Sequence, residues 1–141
     1  MMRKGIIFLC WLAVLGWMSA IFFLSTLPQE EVPRIGTLMP DYINHGIAYL
    51  VLAFLLFLTL QRTRRCSFTI ASGVAVGWCL IFGLGMEFAQ RYLTTNREFS
   101  LWDLLADVIG AAMPFLVLRA LKKVGNTGKK LYSLLMGNSE R

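Results

Sequence analysis

Four long stretches of this chain are almost free of charge, and this feature limits its possible folds most. The four stretches are residues 5–29, 42–61, 66–86 and 99–118. Since about 20 apolar residues cross the roughly 30 Å hydrocarbon core of a bilayer as a helix, each stretch is long enough to span it. The fourth is interrupted by Asp103 and Asp107 but stays apolar around them. The sequence therefore predicts an all-α polytopic membrane protein, a bundle of four transmembrane helices.

The overall composition also argues against a water-soluble domain. The chain is 57% hydrophobic and 16% charged, whereas soluble domains are about 45–50% apolar and about 25% charged. Intrinsic disorder and a disulfide scaffold are excluded by the same composition and by the presence of only three cysteines. The first stretch is longer than the apolar region of a signal peptide, so we expect a retained helix.

The basic residues predict an orientation in the membrane. Of the 14 Lys and Arg residues, 11 lie at the N-terminus, between the second and third stretches, or after residue 118. Because Lys and Arg concentrate on the cytoplasmic side, both termini are predicted to be cytoplasmic. Membrane orientation accounts for the excess of basic residues that gives the net charge of +6. We therefore expect no nucleic acid partner. We divide the chain into a transmembrane domain, residues 1–118, and a basic cytoplasmic tail, residues 119–141.

Polar residues of all four stretches are predicted to lie in the outward-facing leaflet. These candidate binding residues are Ser25, His45, Glu87, Gln90, Arg97, Asp103 and Asp107. A lone Asp at the centre of a span costs about 2.5–3.5 kcal/mol on insertion scales, so Asp107 should face protein or water. We expect these side chains to converge on one polar pocket, with Arg97 bound to at least one of the nearby carboxylates.

Several of these residues also have simpler interpretations. Ser100 and Asp103 have the spacing of a capping box, in which a Ser N-cap and an acid three residues later satisfy backbone N–H groups. Asp41 or Asn44 is a candidate cap of the second helix. His45, taken alone, fits a capping or interfacial histidine.

Pairs of small residues four positions apart predict close helix packing. These pairs are Gly16 and Ala20, Gly73 and Gly77, and Ala106 and Gly110. Small residues let the backbones of membrane helices approach each other closely.

The order and spacing of five segments resemble the VanZ-like family of small bacterial membrane proteins. The segments are residues 23–25, 44–49, 87–90, 97–100 and 103–111. The sequence lacks the lysine that this family usually has before the histidine, and it has Asp107 where the family often has Asn. The resemblance implies a multi-pass protein of the bacterial cell membrane, possible involvement in glycopeptide tolerance, and a function in the cell envelope.

The pattern of polar residues leaves several functions open. One is a binding or accessory role toward a lipid-linked or cell-wall-related ligand. Another is an enzyme in which Glu87 or Asp107 acts as acid–base group with His45. A proton-coupled exporter would need a carboxylate near mid-membrane, and a purely structural subunit needs none of this chemistry. A metal held by His45, Glu87, Asp103 and Asp107 has no supporting ligand motif, so we expect neither metal nor cofactor, and the oligomeric state is left open.

Overall fold

The computed structural model describes residues 2–27, 41–64, 66–93, 100–123, 130 and 133. Its four long helices are α1 (Met2–Thr26), α2 (Asp41–Arg64), α3 (Phe68–Leu93) and α4 (Leu101–Lys123). Each is long and apolar enough to cross a membrane. The prediction of an all-helical chain with four membrane-length helices is confirmed, and the cytoplasmic placement of both termini stays a prediction.

All four helices extend beyond the charge-free stretches that predicted them at one end or both, and α3 and α4 extend the furthest. Helix α3 continues to Leu93, past Glu87, which is 0% exposed, and Gln90, which is 3% exposed. A charged residue marks the end of a membrane-length helix only when its side chain faces outward. Glu87 and Gln90 face the interior of the bundle, so the helix continues past them. Helix α4 likewise continues through the predicted domain boundary after residue 118 to Lys123, so the basic tail begins as part of this helix.

Hydrogen bonds between helices show how their directions alternate. Arg62 near the end of α2 donates to Cys10 near the start of α1, with a nitrogen–sulfur distance of 3.7 Å. The indole N–H of Trp17 donates to the carbonyl oxygen of Ala48, 2.9 Å away, farther along the same pair. Helices α1 and α2 are therefore antiparallel, and the start of α2 lies toward the end of α1.

Helices α2 and α4 cross with almost no space between their backbones. A Cβ built on Gly110 would overlap the carbonyl oxygen of Gly46 and would lie 2.8 Å from its Cα. The predicted packing role of the Ala106–Gly110 pair is confirmed by this contact. The same prediction is wrong for Gly16, Gly73 and Gly77 in the described part of the chain, because a Cβ on any of them meets nothing within 4 Å.

The core at one end of the bundle is built from aromatic rings. Phe57, Phe68 and Phe115 belong to α2, α3 and α4, and their ring centroids lie 5.1–6.3 Å apart. Phe57 is completely buried, and Leu118 packs in the same hydrophobic core. This end is closed by apolar side chains, in contrast to the opposite end of the bundle.

Candidate functional site

The central contact of the opposite end, which we call the polar end, joins α2 to α4. His45 Nδ1 lies 3.1 Å from Asp107 Oδ1, and the two side chains are 7% and 1% exposed. When Asp107 is ionised its carboxylate only accepts hydrogen bonds, and the ring N–H of His45 then donates in this pair. The adjacent Gly46–Gly110 crossing holds the two backbones close enough for these side chains to meet.

Glu87 of α3 connects that helix to the start of α4. Its Oε2 accepts the backbone N–H of Ser100 at 2.9 Å. The Ser100 hydroxyl accepts the backbone N–H of Asp103 at 3.2 Å, which confirms Ser100 as the N-cap of α4. In a capping box the acid at the third helical position would bind the N-cap N–H. Here Glu87 binds that N–H instead, so the capping-box prediction is wrong for the carboxylate of Asp103.

Three buried oxygen atoms at the polar end have no hydrogen-bond partner among the described residues. They are Tyr49 Oη, Glu87 Oε1 and Asp107 Oδ2. The phenol ring of Tyr49 stacks on the His45 imidazole with 6.4 Å between centroids. A Cβ on Gly83 would lie 2.8 Å from Asp107 Oδ2 and 3.5 Å from Tyr49 Oη, so only glycine leaves this space open. Since buried polar groups are nearly always paired, these oxygens mark where a further polar group would complete the site, whether from the rest of the chain, water or a ligand.

Two other predicted residues, Ser25 and Gln90, join α1 to α3 beside this cluster. The Gln90 amide donates to the backbone carbonyl oxygen of Ser25 at 3.3 Å. Ser25 thus takes part through its backbone, and the buried Gln90 fixes the end of α3 against the end of α1. Arg97 lies outside the described residues, and so does its predicted bond to the carboxylates. The binding roles of all seven residues stay predictions.

Asp41 belongs to the polar end although sequence reasoning treated it only as a helix cap. Asp41, His45 and Asp103 each offer a ligand atom, and these atoms all lie within 4.8 Å of one another. Asp41 and His45 are four residues apart on α2, and this spacing puts both side chains on one face of a helix. That spacing was the signal in the sequence that could have identified Asp41.

An apolar groove of about 310 Å³ runs between α1 and α3. Its lining residues are Phe22 of α1 and Trp78, Ile81, Phe82, Gly85, Met86 and Ala89 of α3. Phe82 also packs against Tyr49, with 6.1 Å between ring centroids. Tyr49 in turn stacks on His45. The Tyr49 ring therefore lies between Phe82, which lines the groove, and the His45–Asp107 pair.

Comparison with known proteins gives a partial match to a fungal protein. No family model matches the chain, and no solved structure matches it. A protein of Schizosaccharomyces pombe, named only as uncharacterized, is 32% identical over 80 residues, which is 56% of this chain and 49% of that protein. The chain therefore spans about half the length of this relative.

Proposed function

We propose that the four helices cross the cell membrane with both termini in the cytoplasm and the polar end facing outward. The sorting of 11 of 14 basic residues to the other side supports this orientation. The resemblance to VanZ-like proteins supports placing the chain in a bacterial envelope. In this orientation, the described acidic residues Asp41, Glu87, Asp103 and Asp107 all lie toward the external face.

The protein binds an amphiphilic envelope ligand, a lipid-linked or cell-wall-related molecule, with its headgroup at the polar end and its chain in the apolar groove. The observation that carries this proposal is the connection of the two features through Tyr49 and Phe82. The oxygens of Glu87 and Asp107 that find no partner in the described part of the chain supply hydrogen-bond acceptors for a headgroup. The groove supplies an apolar surface for a hydrocarbon chain.

Catalysis on the same ligand is the second candidate, favoured by one specific contact. A histidine hydrogen-bonded to a buried carboxylate is an arrangement used in general acid–base chemistry, and His45 and Asp107 form it. Glu87 Oε1 provides a second acid–base group nearby. Transport is disfavoured, because Phe57, Phe68 and Phe115 close the other end of the bundle with apolar side chains.

The groove offers a direct test with a matched control. A Cβ at position 85 meets nothing within 4 Å, so we expect Gly85→Leu to narrow the groove with little effect on the fold. Gly77 has equally open surroundings and does not line the groove, so Gly77→Leu is the control. The measurement is mass spectrometry of lipids that copurify with the protein extracted in native bilayer discs. We expect a specific lipid with the wild type and with Gly77→Leu, and its loss with Gly85→Leu.

The headgroup half of the proposal is tested by Glu87→Gln. The amide oxygen of glutamine still accepts the Ser100 N–H, so the cap of α4 is kept while the charge is removed. We expect this variant to lose at least about tenfold in occupancy of the copurifying lipid, about 1.4 kcal/mol. Equal lipid content in all four proteins would contradict binding at this site. Turnover of the lipid headgroup by the wild type, absent in Glu87→Gln, would favour the enzyme over the binding protein.

A further inference from the structure

The start of α2 and the start of α4 bring one imidazole and two carboxylates together. The candidate ligand atoms of Asp41, His45 and Asp103 lie within 4.8 Å of one another. Ligand atoms around a tetrahedral zinc ion are about 3.4 Å apart, which follows from bond lengths of about 2.1 Å. Small side-chain rotations are therefore enough to close the three groups around a metal ion.

The carboxylate of Asp103 is available for a metal because Glu87 binds the N-cap N–H that Asp103 would bind in a capping box. An acid at this position of a helix ordinarily binds the N–H of the N-cap residue. That N–H, on Ser100, is bound by Glu87 Oε2 at 2.9 Å. Among the described residues, the backbone N–H of Asp103 is bound by the Ser100 hydroxyl, and its side chain belongs to the group with Asp41 and His45.

The His45 imidazole is held as metal-bound histidines are usually held. Ligating histidines almost always donate their second ring N–H to a carboxylate or carbonyl, which fixes the tautomer and the ring orientation. His45 makes this contact through Nδ1 to the buried Asp107, so Nε2 is the nitrogen left for a metal. This hydrogen bond is independent of the Asp41–His45–Asp103 grouping and points to the same ligand.

We propose that Asp41, His45 and Asp103 bind a divalent cation, with Asp107 as the positioning residue for the histidine. One imidazole nitrogen and two carboxylate oxygens suit zinc or a similar first-row metal better than calcium or magnesium, which favour oxygen ligands alone. Three protein ligands leave a coordination position open for water or an anionic group. Asp41 is exposed, so the cation has access from outside the bundle.

A cation at this position would let the acid-rich polar end accept an anionic headgroup. This consequence rests on the proposed lipid binding, whereas the cation site does not. The two are distinguished by titrating zinc alone into lipid-free protein in detergent, and by asking separately whether Gly85→Leu changes the copurifying lipid. Zinc binding without a copurifying lipid would leave the cation site standing and contradict the lipid proposal.

Zinc binding is measured by calorimetry on untagged protein in which the three cysteines are replaced by alanine, since thiolates also bind zinc. We expect one ion per chain, loss of binding in His45→Gln, and at least tenfold weaker binding in Asp41→Asn and Asp103→Asn. Asp107→Asn should weaken binding about 10–100-fold, the usual effect of losing an orienting partner. Tyr42→Phe, next to Asp41 and exposed, is the matched control and should bind as the wild type does.

Folding of each variant is checked by helical circular dichroism without metal. Asp41 is exposed, so Asp41→Asn should fold normally and provides a clear result even if buried variants unfold. Zinc affinity unchanged in Asp41→Asn and Asp103→Asn would overturn the proposal. Equal loss in Tyr42→Phe would overturn it as well, because binding would then not depend on the three ligands.

Discussion

Replacing Gly110 by alanine should force α2 away from α4 and weaken the polar end. The new Cβ would lie 2.8 Å from the Cα of Gly46 and would overlap its carbonyl oxygen. Carbon atoms in contact are about 3.5–4.0 Å apart, so the helices must separate by roughly 1 Å. Such overpacking costs about 1–3 kcal/mol, and the better helix propensity of alanine returns at most about 1 kcal/mol. Because the Cβ meets backbone atoms, which cannot move aside as a side chain can, we expect a cost at the upper end of this range and a net loss of about 2 kcal/mol in unfolding free energy.

The partner glycine in the same crossing gives a sharp control. A Cβ on Gly46 would lie 3.6 Å from the carbonyl oxygen of Ala106, an ordinary contact, so Gly46→Ala should leave stability nearly unchanged. Unfolding is followed by circular dichroism as the denaturing detergent fraction of mixed micelles is raised. If Gly110→Ala unfolds at the same detergent fraction as Gly46→Ala, the close crossing of α2 and α4 is refuted.

Three further substitutions test other parts of the bundle in the same unfolding assay. Gly83→Ala places a Cβ 2.8 Å from Asp107 Oδ2 and should lower the unfolding free energy by about 1–3 kcal/mol. In the control Gly85→Ala the new Cβ meets nothing within 4 Å, so the unfolding free energy should not fall. Equal effects of the two substitutions would contradict the packing around Asp107. Ser100→Ala removes the N-cap of α4 and should cost about 0.5–2 kcal/mol, so no loss would argue against that cap. Phe57→Ala opens the aromatic core and should cost about 3–5 kcal/mol; a loss below about 1 kcal/mol would place Phe57 outside the core.

The number and approximate position of the helices could be predicted because hydrophobic length is a property of local sequence. The ends could not be predicted in the same way. Glu87 ends the charge-free stretch, yet Glu87 and Gln90 both lie inside α3, since the bundle buries them against the start of α4 and the end of α1. Whether a polar residue ends a span or faces its interior depends on neighbours that are distant in sequence.

The candidate site was predictable as a set of residues and not as a set of bonds. The cost of exposing Asp107 to lipid indicated a buried partner, and His45 is that partner. That Glu87 rather than Asp103 binds the Ser100 N–H was not predictable, because this bond depends on how close α3 comes to the start of α4. The small-residue pairs show the same limit: Ala106 and Gly110 lie at a crossing, while Gly73 has open space.

The hydrogen bond between His45 and Asp107 underlies the helix register, the polar end and the cation site. Measuring the interaction energy of this pair is therefore the most direct test of the site as described. A double-mutant cycle with His45→Ala, Asp107→Ala and the double variant isolates that energy, measured by unfolding in mixed micelles with chelator present. A buried hydrogen bond to a carboxylate inside an apolar helical bundle predicts a coupling of about 1–2 kcal/mol. Additive effects within about 0.5 kcal/mol would show that the two side chains are not partners and would contradict the site as described.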